Sequence, residues 1–355
     1  MLTCYGCAFG IWSRLQEPKE RPYRVETVRF EGGGSDVRLE GELTMPYGTG
    51  PFSAVVLISG SGPQDRNELV EGHKPFLVLS DHLTRSGYAV LRYDDRGVAQ
   101  SSGEYSTATA KDFAADAAAA FSWLQRHPHI APSRIGFLGH SEGGYIAPLA
   151  ADMVGDAAFM IFMAGPAKPL LPDVMIDQNR DILRSSGATE ALVNKAHQQV
   201  VEVTQILRTS TSVDEAKVRM KAYLKAEDLS FFEIRANLNL WATPWGMWYA
   251  DYDPAPAYKI FRGPVLALYG GTDLQVSASE NAPLMSTMLT HSMSEVCTFP
   301  GLNHLFQPSD SGKIEEYSRI DITIDEKTLH KIVDWMNRLN SASESIANGI
   351  HTSCQ

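Results

Sequence analysis

Four short apolar segments, separated by stretches with helical patterns, constrain the fold of this chain more than any other feature. They are AVVLIS (54–59), YAVLRYD (88–94), RIGFLG (134–139) and AFMIFMAG (158–165). Segments that are apolar on both faces are typical of strands in a parallel sheet covered by helices. Strands that alternate with helices predict a right-handed parallel α/β arrangement.

The pattern extends in both directions along the chain. Upstream, YRVETVRF and VRLEGELTMP alternate apolar and polar residues around the turn EGGGSD, which predicts a β-hairpin with one buried face. Downstream, strands are predicted at PVLALYG (264–270) and EVCTFPG (295–301), and helices near 277–289 and 326–339.

Residues 168–258 interrupt this alternation. They show helical patterns, contain no convincing strand and end in a segment dense in aromatic residues. We interpret them as a helical cap inserted into the sheet domain rather than as an independent domain. The expected organisation is an N-terminal tail (1–22), a core (23–167 and 259–340), the cap (168–258) and a C-terminal tail (341–355).

Charge and composition exclude several function classes. The formal net charge is −11 and no Lys/Arg cluster occurs, which argues against nucleic-acid binding. No apolar run is long enough to span a membrane. The N-terminus lacks the basic segment of a signal peptide, so it is a frayed tail or the remnant of a signal, and the compartment stays open. Cys4 and Cys7 form a C-x-x-C without zinc spacing, which we interpret as incidental.

The segment Gly139-His140-Ser141-Glu142-Gly143 matches G-x-S-x-G and lies between a predicted strand and a predicted helix, where this motif places a nucleophilic serine. The glycines are needed because side chains two residues on either side of the serine would collide with the neighbouring strand and helix. The helix N-terminus behind the serine adds N–H donors and the positive end of a dipole. Ser141 is therefore the predicted nucleophile.

A nucleophilic serine needs a base that is oriented by an acid, in the chain order Ser, Asp/Glu, His. Asp273 follows the strand PVLALYG, and His304 follows the strand EVCTFPG. Because active-site groups of open α/β sheets gather at the carboxyl ends of strands, these two residues and Ser141 are expected on one rim.

Acyl transfer also needs two backbone N–H groups directed at the developing oxyanion. We expect them from Glu142 and from Ser61, in the glycine-rich turn after AVVLIS. The Glu142 side chain must then point away from the oxyanion. The helix dipole favours a carboxylate at this position, and we predict a structural or pocket-wall role, paired with an arginine of the rim.

LISGSGPQDRNE, LRYDDRGVAQSSG, GHSEGG, YGGTDLQV and GLNHLF, taken in this order, resemble the α/β-hydrolase superfamily. The resemblance is greatest to its bacterial branch of lysophospholipase-like serine esterases and serine aminopeptidases. It covers about residues 23–339 and implies an eight-stranded, mostly parallel sheet with a helical cap after the sixth strand. The chain departs from many relatives at Ser59, where they carry histidine, and at Ala99, where they carry glycine.

Two further clusters have both structural and functional interpretations. Asp94 and Asp95 precede Arg96; we expect a buried ion-pair network that braces the rim rather than a catalytic carboxylate pair, because the arginine keeps both acids ionised. The aromatic residues of the cap either pack together or line an apolar pocket above the serine; they are Trp241, Trp245, Trp248 and Tyr249.

The sequence therefore predicts a serine hydrolase for carboxylic esters with an acyl or aromatic group. It would act through an acyl-enzyme on Ser141 and need no metal or organic cofactor. Two alternatives stay open on the same residues. One is cleavage of amides, thioesters or N-terminal peptide bonds, with Glu233 or Asp251 holding an α-amino group. The other is an inactive hydrolase fold that serves as a binding module.

Overall fold

The computed structural model describes residues 14–342, and its centre is one eight-stranded sheet. The strands are β1 (Arg24–Glu31), β2 (Arg38–Met45), β3 (Phe52–Ile58), β4 (Ala89–Tyr93), β5 (Ile130–His140), β6 (Met160–Met163), β7 (Val265–Gly270) and β8 (Glu295–Phe299). Their spatial order is β1-β2-β4-β3-β5-β6-β7-β8. Strand β2 is antiparallel to β1 and β4, and the other pairs are parallel. The predicted hairpin and mostly parallel sheet are confirmed.

The burial of the strands explains why their sequences look so different. Every residue of β4, β6 and β7 is buried, as expected for strands covered on both faces. Strand β1 lies at the sheet edge, and its burial alternates along most of its length. The edge strand β1 is therefore amphipathic, whereas β2, which pairs on both sides, is buried along most of its length.

Twelve α-helices accompany the sheet in residues 14–342. They are α1 (Pro75–Arg85), α2 (Ala110–Gln125), α3 (Gly143–Val154), α4 (Met175–Ser185), α5 (Glu190–Thr209), α6 (Val213–Ala226), α7 (Phe231–Trp241), α8 (Pro244–Asp251), α9 (Ala255–Ile260), α10 (Ala278–Met288), α11 (Ile314–Tyr317) and α12 (Glu326–Ala342). A capping box of Thr109 and Asp112 begins α2, and the buried alanines of this helix let it pack closely on α3 and β5.

The segment between β6 and β7 is helical, as predicted, and carries α4 to α9. It has a hydrophobic cluster of its own, which includes Val203, Leu207, Met220, Leu224, Ile234 and Trp241. At its end, the Tyr258 hydroxyl lies 2.6 Å from the carbonyl oxygen of Pro166 and 3.0 Å from that of Gly144. The cap is thus fastened directly to the start of α3.

The described part of the N-terminal tail is docked rather than frayed. Arg14 donates to the carbonyl oxygen of Ser318 at 2.8 Å, and Gln16 bonds to the backbone of Thr323 and Ile324. The C-x-x-C pair and most of the C-terminal tail lie outside the described residues. Between residues 14 and 342, no helix is both long and apolar enough to cross a membrane.

Candidate active site

Ser141 occupies a strained turn between β5 and α3. Its φ is +52°, a left-handed conformation that costs a residue other than glycine about 1–2 kcal/mol. Its N–H donates to the carbonyl oxygen of Met163 at 2.8 Å, which holds the turn against the neighbouring strand. The side chain is half-buried. This is the geometry that the G-x-S-x-G motif requires of a nucleophilic serine.

The glycines of the motif are required by close backbone approach. A Cβ on Gly139 would lie 2.1 Å from the carbonyl oxygen of Gly143, and a Cβ on Gly143 would lie 2.3 Å from that of Ile58. Both distances are far below van der Waals contact. The steric reason deduced from the sequence therefore applies at both positions.

Asp273 and His304 form a buried hydrogen-bonded pair at the ends of β7 and β8. Nδ1 of His304 lies 2.8 Å from Oδ2 of Asp273, and each residue is only 5% exposed. The other oxygen, Oδ1, accepts the N–H groups of Gln275 at 2.7 Å and Val276 at 3.0 Å. These bonds hold the carboxylate in place, and the carboxylate in turn orients the imidazole of His304. Nε2 is then the ring nitrogen that can take a proton.

The loop of His304 lies beside the serine turn. Nε2 of His140, the residue before Ser141, lies 3.0 Å from the carbonyl oxygen of His304, and the two imidazole centroids are 4.9 Å apart. All three residues proposed for the chemistry thus stand at the carboxyl ends of β5, β7 and β8.

A buried glutamate that the sequence did not single out joins these loops. Oε1 of Glu68 lies 2.8 Å from Nδ1 of His140 and accepts the N–H of Gly60 at 2.7 Å. Burial lowers the pKa of His140, but the Glu68 carboxylate and the carbonyl oxygen of His304 outweigh it, so the pKa lies above its usual value. An imidazolium donates to both acceptors. Nothing in NELVEGH marks this glutamate.

The loop after β3 passes directly over Ser141. A Cβ on Gly60 would lie 3.3 Å from the Cβ of Ser141, so this position has little room for a side chain. The Gly60 N–H is already bonded to Glu68. Within residues 14–342, the N–H groups of Ser61 and Glu142 have no hydrogen-bond partner.

Asp95 forms hydrogen bonds with two residues of the loop after β3. It accepts the Ser59 hydroxyl at 3.0 Å and the Gln64 N–H at 2.9 Å. Burial raises the pKa of Asp95 to about 8. The prediction that Arg96 keeps Asp95 ionised is therefore wrong, because Arg96 pairs with Asp116 at 2.7 Å instead.

Asp94 does belong to an ion-pair network, but with a different arginine. Its carboxylate lies 2.5 Å from Arg66, which also bonds to Glu40 at 3.0 Å. The rim is braced as predicted, and the bracing cation comes from the loop after β3.

A cavity of about 10 Å³ lies under the loop, next to Ser59, Gly60 and Glu142. This volume corresponds to roughly one water molecule. Asp95 and Asp116 also line it, together with apolar and aromatic side chains. Across residues 14–342, no cluster of three or more His, Cys, Asp or Glu side chains could hold a metal ion.

The Glu142 side chain is buried and reaches the cap. Its Oε1 accepts Nε1–H of Trp245 at 2.6 Å and the hydroxyl of Tyr249 at 2.9 Å. Burial raises the pKa of Glu142 to about 7, against the two hydrogen bonds, which lower it. The predicted partner, a rim arginine, is wrong: the partners are two aromatic residues of α8.

The four aromatic residues expected in the pocket form one chain of ring contacts. Trp241 lies in the cap's own hydrophobic cluster, 5.5 Å from Trp245; Trp248 stacks on Tyr252 at 4.3 Å and meets Tyr249 edge-on. Packing accounts for Trp241 and Trp248. Trp245 and Tyr249 reach the serine turn through Glu142.

The carboxylates considered for an α-amino group are engaged elsewhere in the cap. Glu233 caps α7 by accepting the N–H and the hydroxyl of Ser230. Asp251 is exposed and lies 3.6 Å from Arg208. Neither shows a contact with the serine turn.

Residues 32–262 match the X-Pro dipeptidyl-peptidase (S15) family, which is well over half of the chain. The chain belongs to the peptidase S15 family. It is a hydrolase of the α/β-hydrolase superfamily. Among curated proteins, this S15 chain is 29% identical to esterase EstD of Thermotoga maritima over 320 residues, 89% of this chain and 70% of EstD.

Solved structures of esterases share the fold of this S15 chain. Esterase Pf2001 of Pyrococcus furiosus superposes with a TM-score of 0.55 at 16% identity, covering 93% of this chain and 95% of that one. Est1E of Butyrivibrio proteoclasticus, solved with ferulic acid bound, gives 0.52 at 15% identity, covering 88% of this chain and 99% of Est1E. At these identities the likeness concerns the fold.

Proposed function

We propose that this S15 chain is a serine carboxylesterase that forms an acyl-enzyme on Ser141. The observation that carries the proposal is the buried His304–Asp273 hydrogen bond of 2.8 Å, on the same sheet edge as a serine held at φ +52°. Such a pair orients an imidazole to accept the serine proton.

In the proposed reaction, Ser141 Oγ attacks the ester carbonyl while Nε2 of His304 takes its proton. The unpaired N–H groups of Ser61 and Glu142 stabilise the oxyanion of the tetrahedral intermediate. His304 then returns the proton to the leaving alcohol. Water, activated by the same imidazole, hydrolyses the acyl-enzyme and regenerates Ser141.

Asp273 keeps the imidazole in the correct tautomer and stabilises the imidazolium that forms in each half-reaction. Its two backbone donors hold the carboxylate in place, so it need not reorganise. We assign Trp245, which is partly exposed and bonds to Glu142, to the proposed acyl pocket; the fully buried Tyr249 supports its ring in an edge contact at 5.0 Å.

Esters are favoured over peptides by two observations. The relative EstD is an esterase by name. Glu233 and Asp251 are the cap carboxylates considered for a free α-amino group. Glu233 caps α7 instead, and Asp251 lies near Arg208. X-Pro dipeptide cleavage, which the family description names, is the competing activity; thioester hydrolysis needs the same groups.

The test compares p-nitrophenyl acetate, butyrate and octanoate with Ala-Pro-p-nitroanilide and with an acyl thioester. We expect the oxygen esters to be turned over, Ser141→Ala to abolish turnover, and Ser286→Ala, an exposed serine in α10, to leave it unchanged. Turnover of the anilide alone would contradict the esterase proposal. No turnover of any substrate would favour a binding module.

A further inference from the structure

We propose that the Glu142 side chain is a positioning residue that holds α8 of the cap over Ser141 and thereby sets the affinity for the acyl group. This inference rests on the proposed ester hydrolysis. It assigns a role to the side chain of a buried acid whose backbone N–H is a proposed oxyanion donor.

The first support is the geometry of the contact. Both donors to Oε1, Trp245 and Tyr249, come from one face of α8, one helical turn apart. Residues spaced by four lie on the same side of a helix. Glu142 is only 5% exposed, so the carboxylate forms a buried polar anchor for that face.

The second support is the position of Trp245 between two hydrophobic clusters. Its ring packs against the cluster of the sheet domain and against that of the cap. The indole N–H is therefore the polar bond at the junction of the two clusters. A buried donor that loses its acceptor costs much of its desolvation energy, so removal of the carboxylate weakens the junction itself.

The third support is that Glu142 contacts two functional parts of the molecule at once. Its backbone N–H is a proposed oxyanion donor, and its side chain bonds to the cap. A displacement of α8 therefore moves the Trp245 ring, which is partly exposed and which we assign to the proposed acyl pocket, relative to Ser141. The triad residues Asp273 and His304 have separate supports, so their chemistry depends less on α8.

The electrostatic surroundings give this contact a pH signature. The groups that interact with Glu142 are acidic or neutral: Asp95, Tyr105, Tyr145, Trp245 and Tyr249. Burial raises the pKa of Glu142 to about 7. A cap that lifts away would hydrate the carboxylate and return its pKa toward the ordinary value. Deprotonation through neutral pH therefore favours the lifted cap.

The test uses four variants of the full chain. Glu142→Ala removes the acceptor, Glu142→Gln keeps an acceptor oxygen without charge, and Trp245→Phe keeps most of the ring without its N–H. Asp152→Ala, an exposed acid on the same helix α3, is the control. The readouts are kcat and KM for p-nitrophenyl acetate and octanoate from pH 5.5 to 8.5, and hydrogen exchange of residues 244–251.

We expect Glu142→Ala and Trp245→Phe to raise KM for the octanoate about tenfold at pH 6, as for the loss of one hydrogen bond of about 1.4 kcal/mol, with a much smaller change for the acetate. Glu142→Gln is expected to have the wild-type KM for the octanoate at pH 6. In the wild type this KM rises as the pH passes through 7, and in Glu142→Gln it does not. Exchange in 244–251 accelerates in Glu142→Ala and not in Asp152→Ala.

Equal losses of kcat for both esters in Glu142→Ala and Glu142→Gln would overturn the proposal, since they would place the acid in the chemistry. Unchanged exchange of 244–251 in Glu142→Ala would also overturn it. Because the exchange measurement needs no substrate, it separates failure of the cap contact from failure of the proposed esterase activity.

Discussion

Nδ1 of His140 lies 2.8 Å from Oε1 of Glu68 in a pair that is almost fully buried. His140 also bonds to the carbonyl oxygen of His304, and Glu68 accepts the N–H of Gly60. The side chains of His140 and Glu68 thus connect three segments: the turn of Ser141, the loop of His304 and the loop after β3 that carries the proposed oxyanion donor. The three pieces come from distant parts of the chain, and this pair sets their relative positions.

Removal of Glu68 is expected to destabilise the fold and slow the reaction. In Glu68→Ala the buried imidazolium of His140 loses its partner, which costs roughly 3–5 kcal/mol when one half of a buried ion pair is deleted. Urea unfolding at pH 6 measures the stability, and kcat on a p-nitrophenyl ester measures the positioning. Glu71→Ala is a matched control, since Glu71 is exposed and has φ +49°, against +53° for Glu68. Equal stability of the two variants would contradict this role.

The strained backbone of Ser141 predicts a difference in stability between two inactive variants. Ser141→Gly and Ser141→Ala both delete the nucleophile, but glycine adopts φ +52° without the steric cost. We expect the glycine variant to be more stable than the alanine variant by about 1 kcal/mol, after allowance for its more flexible unfolded chain. Thermal unfolding of the two inactive proteins measures the difference. An alanine variant as stable as the glycine variant would mean that the turn is relaxed.

The raised pKa of Glu142 predicts how stability changes with pH. The folded-state pKa of about 7 exceeds the ordinary glutamate value of 4.5, so the folded protein binds the proton more tightly than the unfolded chain. This contribution is complete below pH 4.5 and is lost as pH rises through 7. Relative to Glu142→Gln, the wild type should lose up to about 3 kcal/mol over that window. Denaturant unfolding at pH 5 and pH 8 checks it; a pH-independent difference would contradict the burial of the acid.

Asp273 should matter more than any other carboxylate of the rim. Asp273→Asn keeps the size of the side chain but offers His304 the wrong hydrogen-bonding group, and comparable changes lower kcat by roughly 10⁴-fold. Asp310→Asn, at an exposed position after the base, should leave kcat unchanged. If the two variants had similar kcat values, another acid would orient the base.

Local patterns sufficed to predict the sheet, the helical insertion and the steric role of the glycines. Continuous apolar runs identify buried strands, and strand ends locate Asp273 and His304 without any knowledge of contacts. The close approach of Gly143 to Ile58 follows from the same strand–turn–helix geometry. These features depend on neighbours in sequence or on the sheet topology.

The partners of charged side chains could not be predicted in this way. The sequence predicts that Arg96 keeps Asp94 and Asp95 ionised, yet Arg96 bonds to Asp116 on α2. Glu142 bonds to Trp245, 103 positions away. Glu68 was missed for the same reason, because its value lies in contacts with Gly60 and His140. The partner of a long charged side chain depends on how the loops pack in the folded protein. Closeness in the sequence does not determine that partner.

Labelling with a fluorophosphonate, followed by peptide mass spectrometry, tests the central claim most directly. The reagent reacts with a serine only where a base activates the hydroxyl and N–H groups stabilise the adduct. We expect one adduct on Ser141 in the wild type, none in Ser141→Ala, and a strongly slowed reaction in His304→Ala. No adduct on folded wild-type protein, or an adduct on another serine, would contradict it.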